Sequence, residues 1–336
     1  MISAAKYKWI VIATLVALVL LSCIALLLGP TNLDFAALYD SLSGDSANSQ
    51  SNGIWQVITQ IRLPRVVMAI LAGTALSASG SAFQSIFRNP MSDPYVLGIS
   101  SGASVGATIA IVLGIQGGLL GIPIFAFLGA CSALIVVYWL AFSLKQSEQN
   151  TLLLAGIAMS LMLGAIVSLL LVIHRDQMES IIFWTLGGFN AISWQQIWIV
   201  TPVVIFSLIM LFKYAKDLNL LAMGNETAHS LGINVKKKVA VILLISALSV
   251  SIVVAYSGVI GFVGLIVPHM VRFTVGADNR KLLPLAALWG GIFLIIADTL
   301  ARTVVQPGEL PVGSITALFG APYFFFILIK RSKSHV

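Results

Sequence analysis

Among the twelve acidic residues of this 336-residue chain, Asp298 alone falls inside a long apolar run. An ionisable group within a membrane is costly and marks a functional candidate. Two chemistries fit it. One is a proton relay in a proton-coupled secondary carrier. The other is a structural i,i+4 pair with Arg302, one helical turn away. The remaining reactive side chains make no constellation. His174, His229, His269 and His335 are scattered over different loops without the close spacing of a metal site, so no metal centre is expected. Cys23 and Cys131 each lie in an apolar run, where neither a disulfide framework nor a zinc site is available. No Gly-x-x-x-x-Gly-Lys-Ser/Thr phosphate loop occurs, so any dependence on ATP must come from a partner.

The elements that would position these residues follow from composition. Hydrophobic residues make up 59% of the chain and charged residues 9%, whereas an ordinary soluble domain carries roughly 25% charged residues. The apolar majority must therefore face lipid or other apolar helices, which excludes a soluble enzyme. A net charge of +7 does not indicate nucleic acid, because the basic residues sit at the ends of apolar runs and form no stripe with interleaved aromatics.

A bilayer core about 30 Å thick needs ~20 apolar residues per helical span. Runs of suitable length lie at 9–28, 66–86, 95–114, 122–143, 152–173, 194–212, 239–255, 258–271, 282–301 and 311–329. The first competes with a signal peptide, and Leu20-Leu21-Ser22-Cys23 resembles a lipoprotein cleavage box. The apolar residues after Cys23 favour a transmembrane helix. With the N-terminus inside, fifteen of the 19 Lys and Arg residues fall in inner loops, and only Arg62, Arg65, Arg175 and Arg302 fall outside. That is a strong positive-inside bias. Residues 239–271 could instead form one long tilted helix, but every later loop would then change sides and the tally would become ten against nine. The expectation is an all-α polytopic membrane protein of ten transmembrane helices, both termini cytoplasmic, forming a single domain over residues 1–336.

Two long loops interrupt this pattern. The outer loop, 29–61, is rich in Ser, Asn and Gly and reads as flexible. The cytoplasmic segment 214–238 contains a short helix with an apolar side, Asn225 as its N-cap and Gly232 as its stop. Gly98, Gly102 and Gly106 repeat every four residues, which lets another backbone approach one helix face. Gly258, Gly261 and Gly264, with Pro268, suggest a short or broken helix. Ala75-Leu76-Ser77-Ala78-Ser79 echoes Ala247-Leu248-Ser249-Val250-Ser251, the pattern of an inverted repeat.

Several of these loops resemble a known family. Gln60-Ile61-Arg62-Leu63-Pro64-Arg65, Phe87-Arg88-Asn89-Pro90-Met91-Ser92-Asp93-Pro94, Leu97-Gly98-Ile99-Ser100-Ser101-Gly102-Ala103, Trp184-Thr185-Leu186-Gly187-Gly188-Phe189, Gly261-Phe262-Val263-Gly264-Leu265-Ile266-Val267-Pro268-His269 and Glu309-Leu310-Pro311 are similar to the permeases of bacterial ABC importers for iron chelates, haem and vitamin B12, the FecCD type. The likeness covers nearly the whole chain from residue 60.

The resemblance implies a vitamin B12 importer permease-like fold and an ATP-driven importer working by alternating access. It implies a second copy of this chain, two ATPase subunits that bind ATP and Mg, an external substrate-binding protein, and a bacterial or archaeal cytoplasmic membrane. No cofactor is expected in this chain, and no nucleic acid partner. The cargo implied is a metal chelate, first an iron-siderophore, with haem, cobalamin or a molybdate-type oxyanion as alternatives.

Site roles follow from the same resemblance. Arg62, Arg65 and Arg302 match outer-face arginines that dock acidic residues of the binding protein. As exposed guanidiniums they would suit bidentate carboxylate contacts. Leu221-Ala222-Met223-Gly224-Asn225-Glu226-Thr227-Ala228-His229-Ser230-Leu231-Gly232 matches the segment that couples to the ATPase. Gln149, Asn150 and Thr151 match the cytoplasmic gate. The fifth span matches the pathway-lining helix, with Ala155, Met159 and Leu163 on one face and Ser160 beside them.

Overall fold

The computed structural model describes residues 3–29, 49–115, 119–143, 148–305 and 308–332. Among these residues the chain is helical and contains no strand. The helices are α1 (Ala4–Leu27), α2 (Ser49–Gln56), α3 (Leu63–Ile86), α4 (Ile99–Val112), α5 (Gly121–Ser143), α6 (Glu148–Ile173), α7 (Met178–Leu186), α8 (Trp194–Lys213), α9 (Ala215–Ala222), α10 (Asn225–Ser230), α11 (Val235–Ser257), α12 (Val263–Val275), α13 (Asn279–Thr303) and α14 (Val312–Ser332). Seven helical segments are long and apolar enough to cross a membrane. Three shorter apolar ones, at 99–112, 263–275 and 312–326, complete the ten expected spans.

Polar side chains set the starts of several helices. Asn234 accepts from the Lys237 amide ahead of α11, and Asp278 accepts from the Arg280 amide ahead of α13. Ser193 and Gln196 form a reciprocal capping box on α8, which satisfies donors that have no intrahelical partner. Between α11 and α12 the run 239–271 breaks as the charge count requires. Gly258 takes φ 65° and Phe262 takes φ 69°, and a Cβ at Gly258 would overlap the Trp184 carbonyl oxygen.

At the centre stands α3. Ala69, Ala72, Gly73, Ala75, Ser77, Ala78, Ser79, Gly80, Ser81 and Ala82 are all buried along it, and their small side chains let α8, α11, α12 and α13 pack around one helix. Gly73 and Gly290 bring α3 and α13 into backbone contact, so a Cβ on either would overlap the other's carbonyl oxygen. Ser81 donates to the carbonyl four residues back, which satisfies its hydroxyl without a partner helix. At the periphery the balance reverses. Only 11% of the most apolar window of α1, and of α6, is buried within the chain, against 78% for the span that contains α3.

Two expectations need correction. The outer loop is helical from Ser49 onward: α2 passes through a π-helical turn, Val57–Arg62, directly into α3. The indole of Trp194 donates to the Thr59 carbonyl at 2.8 Å and pins that turn. Residues 30–48 of the loop lie outside the described residues. The coupling segment is an elbow of two helices, α9 and α10, and the cap of α10 is Gly224 at φ 120°, with Asn225 as its first helical residue. Two of the three stripe glycines behave as expected, because Gly102 and Gly106 lie against the backbone of Gly129 and Phe125 on α5, whereas Gly98 is the left-handed cap of α4 and faces the Met159 side chain. The echoing segments on α3 and α11 also meet, and the Ser79 hydroxyl donates to the Ser246 carbonyl at 3.4 Å.

Candidate functional sites at the two ends of the bundle

Three arginines gather at the end where α1 finishes and α3 begins. Arg62, Arg65 and Arg302 are only 3%, 5% and 2% exposed, which corrects the expectation of exposed guanidiniums. The physical reason is that each has partners within the chain. Arg65 Nε donates to Asp298 Oδ1 at 2.8 Å and its Nη1 to Glu309 Oε2 at 2.9 Å. Arg302 Nε lies 3.1 Å from Asp298 Oδ2. Arg302 also donates to the Ala25 and Leu28 carbonyls at 3.1 Å, and Arg62 Nη1 to those of Leu26 and Leu27 at 2.8 Å.

The last carbonyls of α1 thus receive two guanidiniums. Helix C-termini carry partial negative charge and unsatisfied acceptors, and α1 has no basic residue of its own in its last turn. Asp298, 1% exposed, is clamped between Arg65 and Arg302. The i,i+4 pair read from the sequence is present, with Arg65 added from α3. A buried carboxylate held by two guanidiniums has its charge compensated. Arg65 retains capacity: its Nη2 is buried without a partner among the described residues. Glu309, its half-buried partner, lines an outer recess of about 220 Å³ with Phe183, Trp184, Asn190 and Tyr256.

The opposite end carries the elbow. Leu221 and Ala228 point inward and are fully buried, while Met223 and Leu231 stand 65% and 57% exposed. Ala222, Glu226, Thr227, His229, Ser230 and Gly232 are exposed beside them, Asn225 is half-buried and Gly224 is buried. Large apolar side chains at a charged, aqueous end of a bundle need a partner surface. Thr151 and Asn150 sit in the first turn of α6, Asn150 exposed and Thr151 half-buried. The side chain of Gln149 lies outside what the structure describes.

The proposed pathway face of α6 is a second correction. Met159 is 8% exposed and belongs to the core, with Ala155 and Leu163 packed against it. A Cβ at Gly156 would overlap the Val96 carbonyl oxygen, and the Met159 side chain abuts Gly98. That stripe closes on the turn before α4, and Ser160 is half-buried at its edge. The open face of α6 carries Leu154, Ile157, Leu161, Met162 and Leu169.

Residues 17–330 match the FecCD transport family. The hemin transport system permease protein HmuU of Yersinia pestis is 38% identical over 328 residues, 95% of each chain. The cobalamin import system permease protein BtuC of Halobacterium salinarum is 42% identical over 275 residues, 82% of this chain and 74% of that one. A solved structure described as an inward-facing conformation of a metal-chelate type ABC transporter superposes with a TM-score of 0.85 at 32% identity, covering 96% of this chain and 99% of that one. The chain belongs to the FecCD transport family and is a multi-pass ABC transporter permease subunit, not itself an enzyme.

Proposed function

We propose that two copies of this chain form an importer that carries a metal chelate inward by alternating access, driven by two ATPase subunits that hold ATP and Mg and loaded by an external binding protein. The observation that carries this reading is the elbow, whose exposed Met223 and Leu231 need an apolar partner surface at the cytoplasmic end. The second copy covers the exposed apolar faces of α6 and α14, where Leu161, Met162, Leu318 and Phe319 stand open. Asn150 and Thr151, with Gln149, close the pathway at the foot of α6. The whole chain acts as one permease domain.

The docking arginines enter this reading in a narrower form. Arg62 and Arg302 hold α1, whereas Arg65 is bridged to Glu309, which faces an open recess. A carboxylate on the binding protein takes the place of Glu309 on Arg65, a bidentate exchange suited to a guanidinium. Glu309→Gln then tightens binding-protein affinity several-fold by removing the competing charge, and Arg65→Gln weakens it. Unchanged affinity in both variants removes this cluster from docking.

The proposed cargo is an iron chelate, a ferric siderophore or haem, and the likeness to a hemin permease supports iron. Cobalamin is the second reading, favoured by the likeness to a cobalamin permease. Elemental analysis of cells lacking the gene and of complemented cells, grown with trace metals limiting, tests the cargo. Iron that falls in the deletion and recovers on complementation supports the first reading, and supplying siderophore or haem as sole iron source separates its two forms. A fall in cobalt with iron unchanged supports cobalamin, and a fall in molybdenum alone overturns both.

A further inference from the structure

Beside the buried Leu218 and Leu221, the elbow is tied to the bundle by a half-buried polar side chain, Asn219 on α9. Its Oδ1 accepts from the Asn279 amide at 2.7 Å and from Asn279 Nδ2 at 2.9 Å, and its Nδ2 donates to Asp278 Oδ1 at 2.7 Å. Asn279 Oδ1 in turn accepts from the Ser85 hydroxyl at 3.1 Å. Asn279 and Ser85 are 1% and 3% exposed, so these bonds are protected from water. The path runs from α9 to the N-terminus of α13 and to the last turn of α3. A second tie, Lys238 to Asp217 at 2.9 Å, joins α9 to α11, but its Lys238 side chain is 35% exposed and pairs of that kind contribute little.

What Asn219 reaches is a pair of helices in backbone contact. Gly73 and Gly290 hold α3 and α13 at backbone contact, and Arg65 with Asp298 clamps the same two helices at their other end. From Asn279 to Asp298 the helix rises about 28 Å at 1.5 Å per residue. Packed helices of this kind move as units because close-packed interiors do not deform continuously.

We infer that Asn219 is the positioning residue that joins the ATPase-facing elbow to the α3–α13 pair, so that displacement of the elbow is delivered across the membrane to the Arg65–Asp298–Arg302 cluster. This rests on the reading of the elbow as the ATPase contact. The α3–α13 pair acts as a strut, fastened at one end by amide hydrogen bonds and at the other by an ion pair.

The test uses the assembled complex of this chain with its ATPase and binding protein in proteoliposomes, reading ATPase retention, basal hydrolysis and chelate uptake per ATP hydrolysed. Asn219→Asp places a second carboxylate against Asp278, at the position of an amide that donates at 2.7 Å. It is expected to keep the ATPase bound and basal hydrolysis intact while uptake per ATP falls about tenfold, as for one buried hydrogen-bond partner lost. The exchanged pair, Asn219→Asp with Asp278→Asn, restores one donor facing one carboxylate and is expected to recover uptake to within about twofold. Asn219→Ser, which removes the fork without adding charge, is the companion variant should Asn219→Asp fail to assemble, and it is expected to lower uptake per ATP with assembly intact. Unchanged uptake per ATP in Asn219→Ser, or an exchanged pair that assembles but stays uncoupled, overturns the inference. A wild-type chain that never retains the ATPase instead overturns the reading of the elbow.

Discussion

Replacing Asp298 by Asn separates a structural carboxylate from a proton carrier. In the structure its two oxygens lie 2.8 Å from Arg65 Nε and 3.1 Å from Arg302 Nε, and all three side chains are at most 7% exposed. Removing one partner of a buried ion pair leaves an uncompensated charge, at a cost of about 3–5 kcal/mol. The remaining Asn oxygen still accepts one hydrogen bond, and Arg65 keeps Glu309, so the lower end, about 3 kcal/mol, applies. That is roughly two orders of magnitude in the folded ratio and about 4 °C in the melting midpoint of a chain this large. The assay is thermal unfolding of the purified permease in detergent, followed by ATP-driven uptake normalised to folded protein. The expected result is a marked fall in stability, with the uptake that remains still driven by ATP and indifferent to a protonophore. A variant as stable as the parent but inactive, with the parent's uptake collapsing when a protonophore is added, would refute the ion-pair account.

Other outcomes follow from the same geometry. Gly73→Ala drives a methyl group into the Gly290 carbonyl and is expected to destabilise the permease by about 1–3 kcal/mol through overpacking, read by thermal unfolding. Met223→Asp and Leu231→Asp place charge on the exposed apolar tip of the elbow; ATPase co-purification is expected to fall at least tenfold while thermal stability holds. The Arg280 guanidinium and the Asn219 amide hold the Asp278 carboxyl below its ordinary value of 3.8. A depressed carboxylate contributes stability above its unfolded value and loses it as pH falls below that value. The stability difference between the parent and Asp278→Asn is therefore expected to be constant near neutrality and to narrow below about pH 4, measured by denaturation across pH.

Much of the fold can be read from residues alone because spans need long uncharged runs and lysines mark one side. Even the break at Gly258 follows from counting Lys and Arg. Local composition misled at Ser49–Gln56, where Ser, Asn and Gly read as loop while the structure continues the helix into α3. The arginines were legible as a group but not in their environment. Asp298 and Glu309 lie 233 and 244 positions from Arg65, and the carbonyls they share the site with belong to α1, which no periodicity reveals. The Met159 stripe had the right spacing for a helix face, yet spacing does not say which neighbour covers it. Asn219 and Asn279, 60 positions apart, carry no sequence signal; only the folded chain brings them together.

The central claim is that this permease is driven by ATP through its elbow, and uptake by sealed proteoliposomes containing the permease, its ATPase and binding protein tests it most directly. With a metal chelate outside, ATP inside and a protonophore present, the account predicts chelate accumulation that requires ATP and disappears with Met223→Asp. Accumulation driven by a pH gradient in vesicles that lack the ATPase would contradict it.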